Sequence, residues 1–599
     1  MRRRLCALAA VLFCLGGMTG CITRLQDQTE VVSEASSQPE LTVSEKFDKL
    51  CEQIFQFSLS TNSVTRHYTV ANPEQFGLEA IPVSFGSFSM DAETLEKARE
   101  FLTELKTFVY DELTEEQRLT YDILLTDFEQ SVQIDTYKWY GEALSPQVGL
   151  QAQLPSLLAE YTLRSKQDVE DYLTLLKDTE RYFAEILAYE QEKSKAGLFM
   201  ADFTVDAVVE QCESFLLKPD ENMLIVSFPS RLESVGLTEE EKQAFIAQNT
   251  EVVKGPFLNA YRSLVEGLKA LKGTGKNTQG LCGLEKGKAY YAHIVAADTG
   301  SSRSIEDMRS MMQTELDKRF AVLTNATQEE VMAWQLYRPS LTDPEAMLRD
   351  MQRKLQMDFP EAPEASYTLK KVDPALEDFV SPAFYLIPPI DDFQNNVIYI
   401  NDKYNEGQDL YPTLVHEGYP GHLYQTVYFL SRNPAPVRSV LNYAGFDEGW
   451  ATYVEYEYGY AYSGRPEAAV KIDTAGALSG LLINALVDIG IHYDGWDVGK
   501  TLAFLKQYYG DTFDREGAQA YFESVAGEPG NALPYAVGYL EFMELRNQAE
   551  NRLGEGFDVK EFHRVILETG PVPFSVLQKQ VEIWVNGQQV EGDSPAAAA

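Results

Sequence analysis

The spacing of hydrophobic residues along the chain predicts a mainly helical protein. A capping-box-like start at residues 113–116 precedes an amphipathic run that extends to about Ile134. A second run opens at Ser165 and carries apolar residues at helical spacing from Val169 to Leu176. Further helical runs are predicted in four segments, over residues 203–218, 238–271, 304–357 and 410–577.

One segment has the pattern of a strand instead. Residues 395–401 are short and rich in β-branched side chains, and turn-forming residues flank them. The proline-rich stretch at residues 381–390 predicts a loop before this strand. The pattern therefore predicts a large, mainly α fold with a small β element near residues 395–401. Helical enzymes of this length can form two lobes around a central cleft, which is the architecture expected here. We expect the strand at Val397–Ile400 to lie at the cleft edge, where an extended peptide could pair with it.

The amino-terminal residues have the features of an export signal. Basic residues 2–4 precede an apolar run at residues 5–15, which is too short to span a bilayer comfortably. The sequence Met-Thr-Gly-Cys, ending at Cys21, resembles the lipobox of bacterial lipoproteins. It predicts a signal peptide over residues 1–20, lipid attachment at Cys21 and a membrane location on the periplasmic side or the cell surface. The alternative is an ordinary secretory signal followed by a chance cysteine.

Composition and charge limit the possible partners and the kinds of fold. The formal charge is -40, which disfavours nucleic acid as a partner, while 12% aromatic residues favour a packed globule over disorder. The cysteines beyond Cys21 show neither a disulfide pattern nor a zinc-binding spacing. We predict five segments, which are the signal peptide, a flexible tether at 21–44, an N-terminal helical region at 45–275, a catalytic region at 276–586 and a disordered tail at 587–599.

Two of the six histidines fall within the sequence His-Glu-Gly-Tyr-Pro-Gly-His at residues 416–422. The zinc-peptidase motif HExxH places its histidines four residues apart on one helical face. Here the spacing is six, which on an intact helix would rotate the rings about 240° apart. Gly418 and Pro420 permit a bulge in the helix, and such a bulge would return His422 to the face of His416.

A third ligand is predicted in the segment that follows. A catalytic zinc usually takes three protein ligands and keeps one position open. Glu448 lies one helix length beyond His422 and is the preferred ligand. Glu455 is the alternative ligand, because it lies seven residues after Glu448 and a helix returns to the same face over that distance. With Glu448 as the ligand, Glu455 is expected to orient a histidine. Glu417 is the predicted general base. A His-Glu pair also occurs often by chance.

The same residues resemble the bacterial family known as DUF885. The shared motifs are the segment 416–422 with Gln425, and Glu-Gly-Trp-Ala at 448–451 with Tyr453 and Glu455. Other matching segments are residues 287–291, 384–389 and 488–492, and the resemblance spans about 45–585. The motif layout is similar to that of helical zinc peptidases of the Taq-type carboxypeptidase, oligopeptidase and angiotensin-converting enzyme families. That similarity implies a metallopeptidase-like fold, one zinc ion per chain and peptide hydrolysis.

The same similarity suggests two further catalytic residues. Pro-Tyr-Ala-Val-Gly at residues 534–538 resembles a stretch of the Taq-type carboxypeptidases. By analogy Tyr535 and His492 would donate hydrogen bonds to the oxyanion formed during amide attack. A histidine near a helix end is more often structural, and the chain contains 33 tyrosines.

These expectations combine into one functional hypothesis. Zinc would activate water, and Glu417 would take its proton and pass it to the leaving amine of a short peptide substrate. The alternatives are a non-catalytic peptide-binding lipoprotein and a metallohydrolase of another amide, such as a cell-wall peptide. An intact Glu417 favours an enzyme, because a binding protein needs no general base.

Overall fold

The computed structural model describes residues 41–88, 92–372, 381–405 and 409–592, together with residues 374 and 377. Within this part the protein is mainly helical and contains a small three-stranded sheet. The predicted fold class is therefore confirmed. The predicted signal peptide and Cys21 lie outside the described residues.

The helices before the sheet are numbered α1 to α15 in chain order. Their bounds are α1 Val43–Ser58, α2 Ser63–Thr69, α3 Ala92–Leu105, α4 Glu115–Ser131, α5 Leu150–Ala159, α6 Lys166–Ala196, α7 Asp202–Leu216, α8 Met223–Val226, α9 Phe228–Arg231, α10 Glu239–Val252, α11 Leu258–Leu271, α12 Gly287–Thr299, α13 Ile305–Thr324, α14 Gln328–Leu336 and α15 Pro344–Lys354.

The sheet and the helices that follow it complete the fold. Their bounds are β1 Ser366–Lys371, β2 Ala383–Leu386, β3 Asn395–Ile400, α16 Asp402–Asn405, α17 Tyr411–Glu417, α18 His422–Ser431, α19 Ala444–Val454, α20 Tyr460–Tyr462, α21 Glu467–His492, α22 Val498–Tyr509, α23 Arg515–Ala526, α24 Leu533–Leu553, α25 Val559–Thr569 and α26 Phe574–Gly592.

Local sequence signals set several helix boundaries. Thr114 caps α4 through a capping box with Gln117, and Ser165 caps α6 in the same way through Asp168. The predicted run at 238–271 is interrupted, because Gly255 adopts φ -89° and ψ -107° and the next residue is a proline. Proline lacks the N–H that a continuous helix needs. The run at 304–357 likewise divides into α13, α14 and α15.

The strand order of the sheet is β1-β3-β2, with β1 parallel and β2 antiparallel to β3. The predicted strand is confirmed as β3, but its predicted role at the cleft edge is wrong. Both sides of β3 are paired, so Val397–Ile400 cannot accept a further strand. The edges of the sheet are β1 and β2.

The sheet lies between two hydrophobic cores. One core contains helices α5 to α11 and takes Phe384 and Tyr399 from the sheet. The larger core contains most of the chain from Leu281 onward and takes Tyr385 and Ile398 from the opposite face. A third core joins α1, α3 and α4. The first core also includes Val372, Phe384 and Tyr399, and the larger core includes Ile123 and Tyr140, so the predicted boundary near 275 stays a prediction.

Two element boundaries differ from the predicted segments. The first helix begins at Val43, inside the predicted tether, and α26 continues to Gly592, past the predicted start of the tail at 587. Among the described helices, α21 alone is long and apolar enough to cross a membrane. However, 72% of its most apolar window is buried inside the protein, so the surrounding helices already cover it.

Candidate metal centre

The two histidines of the 416–422 motif lie on two separate helices. Helix α17 ends at Glu417, the chain leaves the helical path from Gly418 to Gly421, and α18 begins at His422. The Tyr419–Pro420 peptide bond is cis. The rings of His416 and His422 meet with centroids 4.9 Å apart and planes at 86°. The predicted bulge within one helix is thus a complete break between two, which places the second histidine opposite the first.

This break is held by tight backbone packing. A Cβ atom on Gly421 would lie 1.9 Å from the carbonyl oxygen of His416, so no larger residue fits without a shift of the backbone. The Tyr424 N–H donates to the carbonyl of Gly418 across the break. The indole N–H of Trp450, on α19, donates to the carbonyl of Pro420 at 2.9 Å. Helix α19 is therefore fixed to the break that separates the two histidines.

Glu448 of α19 completes the predicted group. Its Oε2 lies 3.5 Å from His416 Nε2 and 3.6 Å from His422 Nε2. The ligand atoms of the three side chains all lie within 4.8 Å of one another, and each residue is less than 10% exposed. Helix α19 comes this close to its neighbour α24 because Gly449 and Gly538 face each other without side chains.

The arrangement fits a zinc ion. Two ligand atoms held about 2.0–2.2 Å from a tetrahedral zinc lie roughly 3.3–3.6 Å apart, which includes the 3.5 Å and 3.6 Å observed between Glu448 and the two histidines. His416 Nε2, His422 Nε2 and Glu448 Oε2 are all buried without a hydrogen-bond partner within the described part of the chain. Two imidazoles and one carboxylate form a common catalytic zinc donor set. A cation among these three atoms would satisfy all of them.

Charge interactions within the group shift the pKa values of His416 and Glu448. Burial disfavours the charged form of His416, but Glu448 and Glu455 outweigh burial and raise its pKa well above the ordinary value. Burial also opposes the charge on Glu448, yet His416 and His422 lower its pKa to about 2. Without a metal a proton can occupy the cluster, so metal binding should release it.

Glu455 lies beside His416 but outside the group of three. Its Oε2 is 3.2 Å from His416 Nδ1, on the side of the ring away from Glu448. Glu455 opens a π-helical segment, Glu455–Gly459, that directly follows α19. Such segments are frequent at functional sites, because the wider turn redirects side chains. Here Glu455 is positioned to orient the His416 ring rather than to bind the same cation.

The carboxylate of Glu417 points toward the sheet. Its Oε2 accepts a hydrogen bond from the backbone N–H of Tyr385 at 3.0 Å. Tyr385 is in β2, an edge strand, and this N–H points away from β3. Glu417 is buried, at the carboxyl end of α17 beside His416. The role of Tyr385 was not predicted, because contact between residues 32 positions apart depends on the tertiary fold.

A second unpredicted pair lies next to the ligands. The side-chain N–H of Gln425, in the first turn of α18, donates to Asp447 at 2.7 Å. Asp447 immediately precedes Glu448, and its charge acts on His422. This pair ties together the two helices that supply His422 and Glu448. The sequence offered a signal, since Gln425 and Asp447 each lie within three residues of a predicted ligand.

The two predicted oxyanion donors differ in their surroundings. His492 is fully buried, its Nδ1 accepts from the Leu281 N–H, and its Nε2 faces the carbonyl of Val525 at 3.0 Å. Both ring nitrogens are thus used by the main chain, and the geometry does not support a role as an oxyanion donor. Tyr535 is buried in the first turn of α24, the helix that packs on α19. Its catalytic role stays a prediction.

The sequence matches the family model DUF885, described as bacterial protein of unknown function, over residues 85–581. The chain belongs to the DUF885 family. None of the curated proteins matches this sequence. The predicted family is therefore confirmed, while its similarity to zinc peptidases stays a prediction.

Solved structures share the fold of this DUF885 protein. A candidate lipoprotein from Colwellia psychrerythraea is 20% identical, with a TM-score of 0.80, and the match covers 91% of this chain and 100% of that one. A candidate lipoprotein of unknown function from Shewanella oneidensis is 15% identical, with a TM-score of 0.57, covering 90% and 99%. At these identities the likeness establishes the fold alone.

Proposed function

We propose that this protein is an exported, zinc-dependent peptidase that hydrolyses short peptides. The observation that carries the proposal is the buried group of His416, His422 and Glu448, with the carboxylate of Glu417 next to it. A site for metal storage or structure needs only the ligands. An additional carboxylate, held by a backbone N–H of an edge strand, favours catalysis.

The protein side chains would divide the chemistry among them. His416, His422 and Glu448 would hold zinc, which supplies Lewis acidity and makes water acidic enough to lose a proton near neutral pH. Glu417, oriented by the Tyr385 N–H, would accept that proton and transfer it to the departing amine. Tyr535 is the remaining proposed donor to the oxyanion, since α24 packs against the helix that carries Glu448.

Strand β2 suggests how a peptide is held. Within the described residues, no strand pairs with its outer side, and Glu417 contacts that side at Tyr385. An extended peptide added there would lie alongside the proposed base, and main-chain hydrogen bonds to groups of β2 other than the Tyr385 N–H would tolerate many sequences. This edge replaces β3 as the proposed substrate edge.

Export and anchoring are part of the same proposal. The lipobox-like segment ending at Cys21 predicts lipid attachment, and both similar structures are described as candidate lipoproteins. We expect Cys21→Ala to release the protein from membranes or to leave it uncleaved. Mass spectrometry of the amino terminus tests this, and a mature terminus at another residue would contradict the proposed anchor.

The decisive experiment separates the base from the ligands. Purified full-length protein is digested against a peptide library read by mass spectrometry, with zinc content measured in parallel. Glu417→Gln should retain zinc and lose about a hundred- to ten-thousand-fold in rate, because glutamine keeps the shape and the acceptor oxygen but cannot take the proton. Glu448→Gln should lose the metal itself.

Three outcomes would overturn the proposal. If Glu417→Gln hydrolyses peptides at the parent rate, Glu417 is not the base. If the parent binds zinc but cleaves nothing in a broad library, a peptide-binding protein or a hydrolase of another amide takes its place. If the parent cannot be loaded with zinc, the proposal of a zinc centre is wrong.

A further inference from the structure

The side chain of Gln425 has a buried hydrogen-bond acceptor without a partner among the described residues. This atom is Oε1, and the residue that carries it is only 3% exposed. An unpaired buried acceptor is unfavourable, because it has lost its hydration and has gained no hydrogen bond in return. A donor from outside the described chain would remove this cost.

The nitrogen of the same amide fixes the direction of the acceptor. Gln425 Nε2 donates a hydrogen bond to Asp447 Oδ1 at 2.7 Å. The amide carries its donor and its acceptor on opposite sides, so the oxygen is turned away from Asp447. Gln425 belongs to α18 and Asp447 to α19, so the packing of two helices holds the amide in this orientation. The acceptor is therefore oriented before any ligand arrives.

Gln425 is a neighbour of one of the proposed metal ligands. It follows His422 by three residues in α18, and residues three apart occupy adjacent positions on one helical face. Both side chains reach α19, where His422 faces Glu448 and Gln425 faces Asp447, the residue before Glu448. The amide and the metal-binding group thus make adjacent contacts between the same two helices.

The metal-binding group contains the other unpartnered atoms that bear on this amide. His416 Nε2, His422 Nε2 and Glu448 Oε2 are buried without hydrogen bonds inside the described ranges, and one metal ion would satisfy all three. Zinc is bound by histidine, cysteine and carboxylate side chains, so the neutral amide of Gln425 is left for a different partner. A partner beside the metal ligands that is not the metal would be the substrate.

We propose that Gln425 is a substrate-binding residue, whose side-chain oxygen accepts a hydrogen bond from a main-chain N–H of the peptide close to the cleaved bond. Neighbouring Cβ atoms on a helical face are about 5–6 Å apart, and an extended peptide advances about 3.3 Å per residue. The N–H should therefore lie within about two residues of the cleaved bond. This inference rests on the proposed function, because it names the part of the substrate that the same site recognises.

Proline should be disfavoured at one position of the substrate. Every other residue has a main-chain N–H, whereas proline has none to offer to Gln425. A methyl group on the main-chain nitrogen removes the same N–H from any other residue and leaves its side chain unchanged. A series of peptides with one such methyl group each can therefore locate the recognised N–H.

Peptide binding is measured so that recognition is tested apart from cleavage. Full-length Glu417→Gln protein, loaded with zinc, is titrated by fluorescence anisotropy with a labelled eight-residue peptide. The peptide is one that the parent cleaves or, if it cleaves none, the tightest binder of the same library. Its variants carry a single N-methyl group at successive positions. At one position methylation should weaken binding at least tenfold, or about the cost of leaving a buried acceptor unpaired.

Substitution of Gln425 in the same protein should abolish this methylation penalty. Gln425→Met has a similar length but only a weak acceptor, so methylated and unmethylated peptides should bind within about twofold of each other. Gln425→Glu retains a strong acceptor oxygen and should retain most of the penalty. Zinc content and a melting curve check that each variant is folded, and Gln425→Leu takes the place of Gln425→Met if that variant fails the check.

Gln519→Met is the matched control. Gln519 also donates its side-chain N–H to a carboxylate, that of Glu523, but it does so on the exposed surface of α23. The methylation penalty should therefore stay the same in this variant. A penalty lost in Gln519→Met as well would contradict a specific role for Gln425.

The outcomes separate this inference from the proposed function. No penalty at any position, a penalty that survives in Gln425→Met, or no binding of any peptide would overturn the inference. If the penalty depends on Gln425 but the parent cleaves no peptide, the proposed function fails and the recognition by Gln425 stands. If the parent cleaves peptides but the penalty does not depend on Gln425, the inference alone fails.

Discussion

At the scale of single residues, the candidate centre depends on which side of each ring faces which carboxylate. His416 has Glu448 on one side and Glu455 on the other, at 3.5 Å and 3.2 Å. Only Glu448 is also near His422. The two glutamates were both plausible ligands from spacing, and the structure separates them by placing them on opposite nitrogens of one ring. Glu448 would bind the proposed cation, and Glu455 would hold the His416 ring in place.

This difference predicts the effect of Glu455→Gln. The variant should still bind one zinc ion, but about 10- to 100-fold more weakly, because an orienting carboxylate fixes the ring and increases its basicity. Competition with a chelator of known affinity measures the loss. Glu457→Gln is the control, since Glu457 bonds the hydroxyl of Tyr539 instead of a histidine. Unchanged affinity in Glu455→Gln would contradict the orienting role.

At the scale of elements, the break between α17 and α18 allows His416 and His422 to meet at one site although they lie six residues apart. Six residues on one continuous helix would turn the two rings apart. The chain instead ends one helix at Glu417 and begins the next at His422, with Gly421 pressed against the backbone of His416. A glycine at this position is required by the close approach of two backbone segments, because its φ of -78° is ordinary.

We therefore expect Gly421→Ala to damage both stability and metal binding. The added Cβ must displace the backbone of His416, and such overpacking costs about 1–3 kcal/mol in the free energy of unfolding. Gly476→Ala is the matched control. Gly476 is an exposed residue of α21 whose Cβ would meet nothing within 4 Å, so alanine should stabilise the helix by about 0.5–1 kcal/mol. Chemical denaturation with zinc titration distinguishes the two, and an unaffected Gly421→Ala would contradict the packing argument.

At the scale of the whole molecule, the candidate centre joins parts of the chain that belong to different layers. Its ligands come from α17, α18 and α19, its proposed base contacts β2, and the sheet lies between the two main cores. A cation bound only in this folded arrangement should stabilise the entire protein by mass action.

Zinc should therefore raise the melting temperature of the metal-free protein. At a free zinc concentration 100 times the dissociation constant, the expected gain in the free energy of unfolding is about 2.7 kcal/mol. The gain should vanish in His422→Ala. Asp511→Asn changes an exposed residue that pairs with Lys506, so this control variant should respond like the parent. Differential scanning calorimetry in buffered zinc measures the shift. A full zinc response in His422→Ala would show that the metal binds elsewhere.

Much of this architecture follows from local sequence. Helical periodicity and caps at Thr114 and Ser165 predicted long helices, because hydrogen bonds within a helix join residues only a few positions apart. The β-branched run predicted β3, and the motif chemistry predicted the group of His416, His422 and Glu448 that the fold brings together.

Other features were decided only by tertiary packing. Sequence periodicity contains no information about strand order, so the central position of β3 and the contact between Tyr385 and Glu417 could not be predicted. His492 was assigned by analogy, whereas its surroundings occupy both ring nitrogens. Such contacts join distant positions, and their energies depend on burial and geometry that exist only once the cores have packed.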